Sequence, residues 1–201
     1  MAYPTVSAPY GFQALNRVDG MPYAGAIRQI PIASGYTTAI YNGDPVVIVT
    51  GGTIERAAAS GAVTTGSPVG VLVGCAYTNS SGQPVQGQYF PGSGVTNAVA
   101  YVVDDPLAAF KVAVAYANAV VTTVTQAAVG TNMSYYNGTG STTTGDSGAW
   151  VLAGSGANTA TLPFRVIAVN PDTNVTSTTF CEVIVKVNTD QYLTALANNL
   201  S

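Results

Sequence analysis

Apolar and β-branched runs, each closed by glycine, asparagine or proline, recur along most of this chain. Val46-Val47-Ile48-Val49-Thr50 is continuous and of strand length, the pattern of a buried strand. Gly51-Gly52 then turns the chain into Thr53–Ala57. Val69–Tyr77 is a second buried strand, with Gly70 and Gly74 placed where another backbone can approach closely. Further strands are predicted over Tyr36–Tyr41, Ala98–Val103, Ala109–Tyr116, Val120–Gln126, Met133–Tyr136, Trp150–Leu152, Leu162–Val169 and Phe180–Val187. Asn42-Gly43 is a dipeptide favoured in two-residue hairpin turns. Asn79–Gly87 reads as a loop, and the Gly/Thr/Ser-rich stretch Asn137–Gly148 as a surface tip. About ten strands with turns at short spacing predict an all-β domain, a barrel or a sandwich.

Helical spacing is scarce. Asp105 can cap a single turn with Pro106 in first position. At the C-terminal end, Thr189 or Asp190 would cap a short helix carrying Leu193, Leu196, Ala197 and Leu200 at i, i+3, i+4 and i+7.

Residues 1–36 follow neither period. They hold four prolines and four glycines, yet are dotted with Tyr3, Tyr10, Phe12, Leu15, Tyr23, Ile27, Ile30 and Ile32, residues that disordered tails lack. Ordering that many backbones costs some tens of kcal/mol at about 1–2 kcal/mol each, which an isolated extended segment cannot recover. The division predicted is therefore an extended N-terminal arm over 1–36 and a β-rich domain over 37–201, the arm lying on the domain, on a neighbour, or on both. Tyrosine combines area, few rotors and a polar tip, and suits wet interfaces. Tyr3, Tyr10, Phe12, Leu15, Arg17, Tyr23, Ile27, Arg28 and Ile30 are the expected contacts with a neighbouring partner or with sister subunits. Arg17 and Arg28 are expected to reach acidic groups or carbonyls there, where the guanidinium fork is effective.

Composition narrows the chemistry. Only 7% of the 201 residues are charged, and none is histidine. Histidine is the side chain that titrates unperturbed near neutral pH and the commonest metal ligand. Serine, threonine and cysteine nucleophiles therefore lack their usual base, and a serine–lysine pair would have to use Lys111 or Lys186. Asp104-Asp105 is the one acidic pair; neighbours in extended chain point to opposite faces and suit turns and caps better than paired acid catalysis. No spacing of oxygens matches a calcium loop, and Gly138-Thr139-Gly140 has no lysine to complete a phosphate loop. Catalysis, cofactor and metal are accordingly not expected.

Six basic against nine acidic residues give a net charge of -3 without a basic stripe, which argues against nucleic acid. Apolar residues reach 47%, yet no run approaches the ~20 residues of a membrane-spanning helix. Met1–Thr5 has neither the basic nor the apolar part of a secretion signal, so cytoplasmic synthesis is expected and the Asn-X-Ser/Thr triplets are read as chance. Cys75 and Cys181 sit among apolar residues and read as small core hydrophobes, with a bridge between them left open.

A resemblance emerges from ordered blocks between residue 8 and about residue 170: Ala8-Pro9-Tyr10-Gly11-Phe12, Tyr23–Tyr36, Gly43-Asp44-Pro45-Val46, Pro68–Cys75, Gln88-Tyr89-Phe90-Pro91 and Tyr101–Pro106. Together they resemble the capsid cement or decoration proteins of tailed bacteriophages. The resemblance implies a structural virion protein on the outer surface of an icosahedral head, bound to the major capsid protein and locking neighbouring capsomers. It implies no catalytic residue, and it does not reach the Asn137–Gly148 loop or the C-terminal segment. Closed symmetry is the norm for homo-oligomers, and a trimer is favoured over a dimer by analogy. Two other readings stand beside it: a tail, neck or head-fibre part recognising a host surface, and a carbohydrate-binding or hydrolytic β-domain, for which Trp150 is the sole tryptophan available.

Overall fold

The computed structural model describes residues 5–22, 25–58, 67–116, 119–174 and 179–192. Tyr3, Tyr23 and the helical positions Leu193, Leu196, Ala197 and Leu200 lie outside them. Fourteen strands form among the described residues: β1 (Gln13–Arg17), β2 (Arg28–Pro31), β3 (Pro45–Val49), β4 (Thr53–Arg56), β5 (Gly70–Thr78), β6 (Pro84–Gly87), β7 (Thr96–Val103), β8 (Ala108–Tyr116), β9 (Ala119–Val120), β10 (Asn132–Met133), β11 (Tyr135–Tyr136), β12 (Trp150–Leu152), β13 (Phe164–Val169) and β14 (Glu182–Val187). One 3₁₀ turn spans Gln126–Ala128. The all-β class is as the sequence predicts.

The strands build two sheets. The first runs β10-β13-β14-β8-β12-β11, with β1 and β9 also paired to β8, and curls into a nearly closed barrel. The second runs β2-β7-β5-β3-β4, with β6 beside β5. Pairing is antiparallel except between β12 and β8. Strand β8 shows how sequence sets the layers: Ala108, Phe110, Val112 and Val114 enter the barrel core, while Lys111 and its outward neighbours alternate with them.

Two cores result. The larger fills the barrel and reaches the second sheet through Val71, Val103 and Ala57. The smaller lies against the second sheet around Ile40, Val46, Ile54, Leu72 and Val102. Phe12 sits at the centre of the larger core, stacked on Phe164 at 4.4 Å and edge-on to Tyr135 at 6.2 Å.

Several local expectations change. Within the segment 1–36, β1 joins β8 of the barrel and β2 joins β7 of the second sheet, so its described residues lie on the domain, one of the placements expected of the arm. Its irregular sequence reflects two short strands separated by turns. Strand β6 lies inside the predicted Asn79–Gly87 loop, paired with β5, which leaves 79–83 as a hairpin turn. Tyr36–Tyr41 forms only a bridge from Ile40 to Phe90, and Asn42-Gly43 closes a turn in which the Asp44 N–H donates to the Tyr41 carbonyl. Val120–Gln126 leaves the sheet after Val120. At Asp105 the side chain caps the Leu107 N–H in a tight turn, with no helix following.

Candidate contact surface

The buried charges are the first claim on any site, and they hold the fold. Asp44 is fully buried in the turn before β3. Its Oδ1 accepts from Ser147 Oγ at 2.6 Å and from Arg56 Nη2 at 2.9 Å. Its Oδ2 accepts from the Tyr41 N–H and lies 2.8 Å from Arg56 Nε. Arg56 also donates to the Gly138 carbonyl at 3.1 Å. A carboxylate so buried must be paired and hydrogen-bonded, and here every partner comes from a different part of the chain.

This network pins the two ends of the Asn137–Gly148 segment inward through Gly138 and Ser147, while Thr142, Thr143 and Thr144 stand exposed at its surface tip. A Cβ on Gly138 would sit 2.1 Å from the Gly148 carbonyl, and one on Gly140 would strike the Tyr41 ring at 2.3 Å. Absent side chains let this stretch pack. Phe12 donates its N–H to the Gly43 carbonyl and Gly11 to that of Ala149, so the N-terminal strand is threaded through the same joint.

A second network lies on the barrel. Tyr10 donates to Glu182, which also accepts from Asn170 Nδ2 at 2.8 Å and faces Lys111 Nζ at 3.6 Å. Burial, then the bond to Glu182, pushes the Tyr10 hydroxyl pKa far above its ordinary value. Cys75 and Cys181 are buried and free, and burial pushes both thiols up to about 11. They stay protonated near neutral pH and are poor nucleophiles. Among the described residues no group of three or more Cys, Asp or Glu side chains is placed to hold a metal ion. No helix among them is long and apolar enough to cross a membrane.

Placement of the predicted contact residues divides them. Phe12 and Ile30 are core residues, so the anchoring expected of them happens within the chain. Tyr10 is committed to Glu182. Arg17 pairs with Asp19 at 3.1 Å and Asp105 at 3.5 Å, and Arg28 with Asp104 at 2.5 Å, so both find their acids on their own chain. Tyr192 donates its hydroxyl to Asp104 at 3.0 Å beneath Arg28, and burial followed by that bond pushes its pKa up to about 12. Leu15 is half-buried and Ile27 is exposed.

Of the seven large apolar or aromatic side chains exposed among the described residues, five, all but Ile27 and Tyr192, gather at the two ends of β8. Val18, Met21 and Leu107 are exposed at its start; the Val18 N–H donates to the Leu107 carbonyl, and the Arg17 N–H to that of Met21. Tyr116 and Val120 are exposed at its end, on the β8–β9 hairpin. About 30 Å of strand separates Leu107 from Tyr116, at about 3.3 Å per residue. Comparison with family models, curated proteins and solved structures found no match. The surface must therefore speak for itself. Sequence reading missed Val18, Met21, Leu107, Tyr116 and Val120 because single apolar residues at strand ends look like strand termini. Only the pairing of β1 with β8 brings Val18 to Leu107.

A groove of about 630 Å³ opens between the 33–37 and 92–97 stretches where β2 leaves β7. Ser34, Thr37, Ser93, Thr96 and Asn97 line it, and Asn97 holds a left-handed φ of 51°. Asparagine tolerates that conformation better than most residues. The groove carries no acid or base beyond the Tyr36 phenol.

Proposed function

We propose that this protein is a structural virion protein of a tailed bacteriophage, a decoration protein that binds the outer surface of the head and joins neighbouring capsomers. The observation that carries the reading is the pair of exposed apolar clusters at opposite ends of one strand. A clamp needs two contact surfaces held apart by something stiff, and β8, gripped by β1, β14, β12 and β9, supplies it. Exposed apolar patches mark partner surfaces, and tyrosines such as Tyr116 are favoured anchors there. Many copies on one lattice multiply weak contacts by effective concentration. A small homo-oligomer, a trimer before a dimer, fits a lattice symmetry axis.

The carbohydrate reading loses its platform: Trp150 is buried and stacked on Tyr136 at 4.6 Å, with no face open to a sugar ring. The neck or tail reading is separated by stoichiometry. Quantitative mass spectrometry of purified virions should count hundreds of copies; about a dozen would move the assignment to a neck or tail piece. Deleting the first 36 residues would remove two strands, so surface substitutions are the cleaner test of contact. Met21→Asp and Tyr116→Asp alter side chains that are each 59% exposed, and should change stability by no more than about 0.5 kcal/mol. Each should abolish co-sedimentation with heads lacking the protein. Wild-type binding by both variants would overturn the bridging role.

A further inference from the structure

We infer that Lys111 and Asn170 react to form an intramolecular isopeptide bond, with Glu182 as the acid and base that passes a proton between them. This stands independently of the virion assignment and needs no second molecule. The three residues lie across three adjacent strands. Lys111 on β8 faces Ile184 of β14, and Glu182 is two residues along that strand. Asn170 follows β13, and its N–H donates to the Glu182 carbonyl at 3.1 Å. Phe110, Val112, Cys181, Val183 and Val185 fill the barrel core, so alternation turns Lys111 and Glu182 to its outer face. There the N-terminal stretch runs over them: the Val6 carbonyl accepts the Phe180 N–H, and the Tyr10 hydroxyl donates to Glu182. Under that cover Glu182 is only 3% exposed, a rare position for a carboxylate.

Each oxygen of the carboxylate meets a different reacting group. Oε1 lies 3.6 Å from Lys111 Nζ. Oε2 accepts from Asn170 Nδ2 at 2.8 Å. Asn170 Oδ1 in turn accepts the Asp172 N–H at 3.3 Å, so the carboxamide is held at both ends. The Tyr10 ring centre stands 5.8 Å from Lys111 Nζ and shields that side of the amine. A carboxylate buried for stability alone is served by an arginine fork, as Asp44 is by Arg56. Lysine instead brings a primary amine, a nucleophile once a neighbouring base has taken its proton.

The reaction closes on these atoms. Glu182 Oε1 takes a proton from the Lys111 ammonium. The neutral amine attacks Asn170 Cγ, and the charge that develops on Oδ1 meets the Asp172 N–H. Glu182 delivers its proton to Nδ2 and takes one from the attacking nitrogen. The Cγ–Nδ2 bond breaks, and ammonia leaves with that remaining proton as ammonium, restoring the carboxylate. Its exit is the groove of about 390 Å³ that Lys111 and Glu182 share with Thr5, Ser7 and Gln13. One C–N bond forms, one breaks, and nothing is oxidised or reduced. Amine and amide held on one carboxylate have the proximity that makes such a step unimolecular. The product straps β14 into the sheet between β8 and the end of β13 with a covalent bond.

Mass spectrometry of the purified full chain tests this. The intact protein should be lighter than its sequence by one ammonia. Trypsin should not cut after Lys111, and residues 57–165 and 166–186 should elute as one branched peptide joined at Lys111 and Asn170. Glu182→Gln, Lys111→Arg and Asn170→Ala should each return the full sequence mass, and the first and last should be cut after Lys111. Full sequence mass in the wild type after prolonged incubation at neutral pH would overturn the inference, whatever the variants do. So would an ammonia loss that persists in Asn170→Ala, or one that maps to Asn42-Gly43 or Asn137-Gly138, where succinimide formation releases the same mass.

Discussion

Two arginine–aspartate clusters in this protein use the same chemistry to opposite ends. Arg56 and Asp44 meet in the interior, where Ser147, Tyr41 and Gly138 complete the set. Arg28 and Asp104 meet at the surface, the arginine side chain 60% exposed, with Tyr192 as their companion. Burial alone separates them. Inside, each charge depends on the other because no water can replace it, so the pair acts as a rivet between the second sheet and the 137–148 segment. Outside, water competes for both, and the pair shapes a surface more than it holds a fold.

Breaking the interior pair should give the largest effect. Arg56→Met leaves Asp44 without its counter-charge and should cost about 3–5 kcal/mol in chemical denaturation. Loss of no more than about 1 kcal/mol would mean that the rivet does not hold. Arg28→Met should cost only about 0.2–1 kcal/mol at low salt, and close to nothing at about 1 M salt, where screening reaches exposed pairs. The Arg56→Met cost should keep most of its size at that salt. The smallest effect is alkaline. Tyr192 keeps its proton to about pH 12 when folded, whereas a free phenol releases it near 10. Its raised value favours the folded state fully below pH 10 and loses that contribution as pH rises through about 12. Wild type should therefore lose stability between pH 10 and 12, and Tyr192→Phe should lose less across that window.

Much of the framework was legible in sequence where a run was long enough to be its own signal. Val46–Val49, Gly70–Thr78 and Ala108–Tyr116 are strands because β-branched and apolar residues dominate them, broken inside only by Gly74 and Lys111, and Gly51-Gly52 turns the β3–β4 hairpin as expected. Strand β1 was not legible. Gln-Ala-Leu-Asn-Arg favours helix locally, and only its pairing with β8, nearly a hundred residues away, makes it extended. The ends of the 137–148 segment misled for the converse reason: hydropathy measures side chains, and Gly138 is buried, and Gly140 and Gly148 half-buried, by having none. The contact surface was the least legible part. Of the residues expected there, Phe12 and Ile30 went to the core, and Arg17 and Arg28 to acids of the same chain.

The tie between Tyr10 and Glu182, and the packing of Phe12 on Phe164, bear on how the chain is made. A ribosome delivers β1 well before β14, and β8 lacks its β14 flank until that strand emerges. Barrel closure must therefore await synthesis of β14. Such distant pairings slow folding and leave sticky intermediates for longer. Translation pauses between β8 and β14 should lower soluble yield more than pauses before β8, and chaperone demand should peak just before β14 emerges.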